Sequence, residues 1–166
     1  MGVFEWFCGP VPEGMEIKQV YGVLFNKDGR TLIREEVCED KKVYGLAGGK
    51  PEKIDKDMFD TLRRESIEEV NTTLSEIYYL GYQTVNEGNG VPVYAQVRMI
   101  ALIDEVGPIA PDPDNGKTYG RLLTTPKKAI KYLNWSEAGC QMIVDAEKLA
   151  KIKFKFKNSN NKDEYV

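Results

Sequence analysis

Three glutamates, Glu65, Glu68 and Glu69, stand at i, i+3 and i+4 in the stretch GGKPEKIDKDMFDTLRRESIEEVNT, residues 48–72. At about 100° per residue they project from one side of a helix within an arc of roughly 100°. Carboxylates crowded in this way repel one another and cost stability unless a cation lies among them. Opposite them run Met58, Leu62, Ser66 and Val70, the side expected to face a core. Arg64 is placed to reach both Asp60 and Glu68 at i±4 and so hold the acidic side. The competing reading is a solvated acidic helix face, which is the commoner meaning of a bare ExxEE. Two neighbouring features favour a cation site. Gly48-Gly49 precede the helix and let backbone groups approach a metal or phosphate closely. Asn71 falls where a left-handed residue closes a helix.

The composition narrows what such a cluster can do. The chain of 166 residues has no histidine, which excludes Ser-His-Asp and Cys-His nucleophiles and His-ligated zinc or haem. Acid–base work at neutral pH falls to Asp, Glu, Lys, Tyr or Cys. With 26 acidic residues, a metal site would be oxygen-rich and suited to hard cations such as Mg²⁺ or Mn²⁺. Cys8, Cys38 and Cys140 are odd in number and far apart, so they form no disulfide framework, and a reducing, cytoplasmic location is expected. The N-terminal stretch MGVFEWFCGPVPEG, with Glu5 and two prolines, lacks the pattern of a targeting segment. No apolar run approaches the ~20 residues of a membrane span. A net charge of -3 argues against non-specific binding of nucleic acid.

The elements that must position these residues can be read along the chain. Residues 16–26 predict a strand, Lys27-Asp28-Gly29 a hairpin turn, and 31–38 the returning strand. A short apolar stretch, Val43 to Leu46, runs into the glycines, and 57–70 predict the helix. Strands are expected at 76–84, 91–103 and about 118–124, with a Pro-rich loop at 105–117. Thr125-Pro126 supplies an N-cap and a first-turn proline, and Ser136 begins a further helix carrying Met142, Ala146, Leu149 and Ala150. KIKFKFK, 151–157, alternates like an edge strand guarded by lysines, and the polar tail 158–166 is expected to fray. Interleaved strands and helices predict one α/β (α+β) domain with a mixed sheet over 1–166.

The segment 49–72 resembles the Nudix box of the Nudix hydrolases, GX5EX7REUXEEXGU with U aliphatic. Arg64-Glu65-Ser66-Ile67-Glu68-Glu69-Val70-Asn71-Thr72 matches all the charged positions, and LAGG, 46–49, is similar to the family's Leu-Pro-Gly-Gly. Ser66 and Thr72 replace aliphatics, and Asn71 replaces Gly. Gly49 lies fifteen residues before Arg64, one more than the pattern, so the upstream Glu position falls on Asp55 from one end and on Lys56 from the other. The resemblance implies an α/β/α sandwich. It implies a Mg²⁺- or Mn²⁺-dependent pyrophosphohydrolase, in which Glu65, Glu68, Glu69 and the Gly49 carbonyl hold the metal and Arg64 orients the carboxylates. A metal-activated water then needs only a carboxylate base, which suits a chain without histidine. The absence of histidine also closes off the isomerase branch of that superfamily, whose metal site needs histidines. Glu68 or Glu69 is expected as the base, with Glu105, Asp112 and Asp114 as loop candidates.

Substrate choice is less legible. Lys50, Arg34 and Arg121 are the phosphate-contact candidates, Lys50 being best placed beside the glycines. Tyr119, Phe4, Trp6 and Trp135 offer faces for a base, although large aromatics more often pack in cores. The expected partner is a small nucleotide, with no membrane or nucleic acid and with a homodimer left open. Two other readings compete: a Nudix-fold module that binds a nucleotide without cleaving it, and an RNA cap-removing enzyme, for which only the C-terminal lysines offer a basic path.

Overall fold

Ile17–Phe25 organises the sheet: Val20, Val23, Leu24 and Phe25 are wholly buried, as an apolar run covered on both faces must be. The computed structural model describes residues 2–166. In chain order its elements are β1 (Val3–Phe7), β2 (Ile17–Phe25), β3 (Thr31–Cys38), β4 (Lys41–Gly45), β5 (Ala47–Gly49), α1 (Met58–Val70), β6 (Thr72–Asn86), β7 (Tyr94–Val106), β8 (Gly120–Thr124), α2 (Pro126–Leu133), α3 (Glu137–Lys153) and β9 (Glu164–Tyr165). The strands form one mixed sheet in the order β1-β6-β7-β2-β3-β8-β9, with β4 paired to β3 and β5 to β2. β2 and β7 run parallel, and the remaining pairs are antiparallel.

Alternation along the central strands divides the core in two. Val20, Leu24, Ala95, Val97, Met99 and Ala101 pack on Leu62 and Val70 of α1. Val23, Phe25 and Ile100 pack on Ala129, Met142, Ile143 and Ala146 of α2 and α3. The mixed α+β architecture expected from the sequence is therefore present, with helices on both faces. β2 also changes partner along its length. Val20, Tyr21 and Gly22 pair with Gly49, Gly48 and Ala47, whereas Leu24 and Phe25 pair with Leu32 and Thr31. That fork brings the glycine turn to the sheet beside the start of β3.

Two sequence expectations require correction, and one strand lies outside them. Residues 151–157 are not an edge strand: α3 continues to Lys153, and Phe154 and Phe156 then fold onto Phe25. Alternation there places aromatics in the core from a helix end instead of from a sheet edge. The tail 158–166 does not fray. Glu164–Tyr165 add to β8, the backbone N–H of Val166 donates to Arg121 O, and Arg30 donates to Lys162 O and Glu164. Val3–Phe7, where the sequence predicts no strand, pairs with β6 at the opposite edge of the sheet. None of the helices among the described residues is long and apolar enough to cross a membrane.

Candidate active site

Helix α1 begins at Asp57, whose carboxylate accepts from the Asp60 N–H as an N-cap. It ends at Asn71 in the left-handed region (φ 44°, ψ 53°), with the Asn71 N–H donating to Ile67 O and Ser66 O. Asn71 does more than a glycine would there. Its side-chain amide donates to Pro108 O at 2.8 Å, adding to the bond that its backbone carbonyl accepts from the Gly107 N–H and fixing the start of the 107–119 loop to the helix end.

The helix does not present the three glutamates to solvent. Thr61, Leu62, Glu65, Ser66, Glu69 and Val70 are its buried residues, and Glu65 and Glu69 are each only 8% exposed. The side expected to be core and the acidic side thus overlap, because β5 packs across both. Gly48 has φ 150°, where a side chain is strained, and its N–H donates to Glu69 Oε2 at 3.0 Å. A Cβ on Gly49 would collide with the Glu65 carboxylate. The two glycines therefore form a backbone wall against which two carboxylates lie.

Arg64 gathers the rest. Nε and Nη2 donate to Asp55 Oδ1 and Oδ2 at 3.0 and 3.1 Å, Nη1 to Glu65 and Glu68 at 3.1 and 2.9 Å, and Nη2 also to Lys50 O at 2.8 Å. Asp55, also bonded by the Thr61 hydroxyl, takes the place that the lengthened loop left ambiguous; Lys56 does not. The expected Arg64–Asp60 contact is absent, since Asp60 accepts from Arg63 and from the Lys56 N–H. On the other side, Arg34 Nη1 bonds Glu69, and its guanidinium lies over the Tyr119 ring at 4.5 Å.

These carboxylates are not equally comfortable. The Arg64 bonds hold Asp55 down at about 2. Burial pushes Glu69 up to about 7, Arg34 and the Gly48 N–H pulling back and the charges on Glu65 and Asp112 adding to the rise. Glu65 and Glu68 are also raised, chiefly by burial, with Asp114 contributing to both. The last turn of α1 holds no basic residue, so the negative end of the helix dipole adds to the strain. The result is a buried, under-neutralised, all-oxygen donor set, which is chemistry suited to a hard divalent cation. In this arrangement guanidinium groups draw the glutamates to different sides. Among the described residues no three acidic or cysteine side chains converge on one point. Binding a cation there would require Glu69 to turn from Arg34.

The other sequence candidates separate. Asp112 is buried and caps its own turn through the Asp114 N–H and the Asn115 amide, while Asp114 is exposed within electrostatic reach of Glu65 and Glu68. Glu105 lies exposed at the end of β7, opposite Thr73. The Lys50 side chain is exposed and makes no ion pair among the described residues. Arg121 is corrected from a phosphate candidate to a structural tie: its donors go to the carbonyls of Val70, Gly107 and Val166. Tyr119 is 4% exposed beneath Arg34, so its face is already covered. Trp6 donates to Asp145 and packs on the core.

Phe4 and Trp135, by contrast, line a cavity of about 380 Å³ that opens beside Arg34, with Tyr21, Gln83, Gln96 and Arg98 in its walls. Its size suits a small organic ligand. Sequence reading missed Arg98. The available signal was a lone arginine in the otherwise apolar run VRMIALI, which becomes a buried strand.

No protein-family model matches the chain, and no curated protein is similar to it in sequence. Solved structures are similar in fold. The pyrophosphohydrolase of Bacillus subtilis superposes with a TM-score of 0.66 at 19% identity, over 91% of this chain and 92% of that one. A NUDIX hydrolase from Listeria monocytogenes gives 0.62 at 17% identity, over 86% and 99%. The NUDIX domain of Shewanella oneidensis NrtR, in complex with ADP ribose, gives 0.60 at 16% identity, over 81% and 88%. The chain has the Nudix fold.

Proposed function

We propose that the chain is a Mg²⁺- or Mn²⁺-dependent pyrophosphohydrolase that cleaves a phosphoanhydride bond in a small nucleoside di- or triphosphate derivative. One observation carries this reading: two buried glutamates are held against the Gly48-Gly49 backbone with too little positive charge around them. A stability-driven sequence would not keep that arrangement without a cation to bind. Glu65, Glu68, Glu69 and the Gly49 carbonyl would hold the metal. When bound, it supplies charge neutralisation of the diphosphate and an acidified water.

The chain's own residues have distinct tasks in this reading. Arg64 fixes the orientation of Glu65 and Glu68 and is itself fixed by Asp55 and Lys50 O. Glu69, positioned by the Gly48 N–H, would accept the proton of the attacking water. With Glu69 among the groups that would hold the metal, Arg34 would be free to meet phosphate oxygens, with Lys50 in solvent beside the glycines as a second cation.

The test is a nucleotide panel with Mg²⁺ or Mn²⁺, with products resolved by ion-exchange chromatography, on wild type beside Glu69→Gln. Metal-dependent release of a nucleoside monophosphate by wild type alone is expected. The guanidinium-bound state of the glutamates favours one rival reading, a nucleotide sensor that does not turn over. Calorimetric binding with no product in any lane would establish that rival and remove the hydrolase.

A further inference from the structure

Arg98 is 3% exposed on β7, and among the described residues no carboxylate pairs with it. Its Nη2 donates to Gln96 Oε1 at 3.0 Å, Nη1 makes only a 3.4 Å contact with the adjacent Val97 carbonyl, and Nε has no acceptor. Its guanidinium lies over the Tyr21 ring at 4.7 Å. A buried cation without a counter-charge is expensive, and burial drives its pKa down to about 10. It lines the same cavity as Phe4 and Trp135, and among the described residues no acidic side chain lines that cavity.

The amides around it are oriented by the guanidinium. Gln96 must turn its oxygen to Arg98, so its Nε2 donates to Gln19, and Gln83 Nε2 approaches the same Gln96 oxygen at 3.5 Å. The Gln96 oxygen is therefore occupied, and the wall presents the Arg98 donors to the cavity. Trp135 lines the same cavity from the turn before α3, and a Cβ on Gly139 would stand 2.6 Å from the Trp135 Cβ; only glycine lets the indole settle there.

We propose that this cavity is a base site that selects 6-oxopurines, guanine and hypoxanthine, over adenine, with Arg98 as the specificity-determining residue. A guanidinium can only donate. Guanine and hypoxanthine offer it two adjacent acceptors, O6 and N7, whereas adenine replaces O6 with the N6 amino donor. Phe4 and Trp135 supply faces for the ring. This inference rests on the site reading above for the position of the phosphates, which would leave the cavity past Arg34.

Calorimetric titration of the metal-free chain with GMP, IMP and AMP tests it without requiring catalysis. GMP and IMP should each bind on the order of ten- to a hundredfold more tightly than AMP. Gln96→Glu places a carboxylate against Arg98 at unchanged volume. It should keep or raise the melting temperature and abolish the preference, whereas Arg98→Lys should weaken it. Equal binding of GMP and AMP, failure of IMP to follow GMP, no binding of any of the three, or an undiminished preference in Gln96→Glu overturns the proposal. The two readings fail separately: preference without turnover removes the hydrolase, and metal-dependent turnover with no base preference removes the Arg98 site.

Discussion

Two acidic clusters in this molecule sit under opposite conditions. At the C-terminal strap each carboxylate has its own donors. Asp163 accepts from the hydroxyls of Tyr132 and Thr124 and faces Lys128, and these bonds lower its pKa. Burial disfavours the charge on Asp28, but the Arg30 bonds outweigh it and the pKa falls. On α1 the glutamates share two guanidiniums, one of them largely committed to Asp55, and all three pKa values rise. The same chemical groups are matched where they hold the fold and mismatched where a ligand is expected. A sequence able to satisfy charge at one place and not at another marks the second as selected for something other than stability.

The largest expected contrast is in activity. Glu69→Gln should lower kcat by on the order of 10²–10⁴-fold while leaving the melting temperature unchanged or higher, because it removes an uncomfortable charge. Asp163→Asn should do the reverse, losing stability and keeping turnover. A parallel loss of both properties in either variant would erase the distinction. Arg64→Met comes next. It strands Asp55, whose side chain is 5% exposed, and should cost about 3 kcal/mol in urea denaturation.

Truncation after Asn161 removes β9 together with the bonds of Arg30, Thr124 and Tyr132 to the tail. Urea titration should give a loss of about 2 kcal/mol; a frayed tail would lose nothing. An acid effect of similar size follows. Asp55 has a folded pKa of about 2 against an ordinary 3.8, so its contribution is fully present above pH 3.8 and is lost as the pH falls towards 2. That linkage is worth about 2 kcal/mol. The stability gap between wild type and Asp55→Asn should therefore be widest near pH 6 and close by pH 2.

What was legible in the sequence was local. The period of 3.6 placed α1, its Asn71 end and the i, i+3, i+4 glutamates, and the glycine pair before the helix marked the wall they lie on. The sides of that helix were less legible, because β5 covers Glu65 and Glu69 as well as Leu62, and helical period alone does not say how wide a partner is. Contacts between distant positions were out of reach. Tyr165 with Glu35 and Asp163 with Tyr132 depend on which strand lies next to β8. Arg98 becomes notable only when Tyr21 and Gln96 are seen beside it and no carboxylate is.

The fork in β2 has a metrical consequence that runs through a single residue. The backbone of Tyr21 pairs with Gly48, against which Glu69 is held, and its ring lies under the guanidinium of Arg98. The separation between the glycine wall and the floor of the cavity is therefore set within one amino acid, from main chain to ring. Loops around the site can lengthen, as residues 50–57 have done, without altering that span. Under the proposed function Tyr21 would act as a gauge block: a nucleotide touching both ends would be measured against a fixed length, and one phosphate more or fewer would meet the two ends out of step.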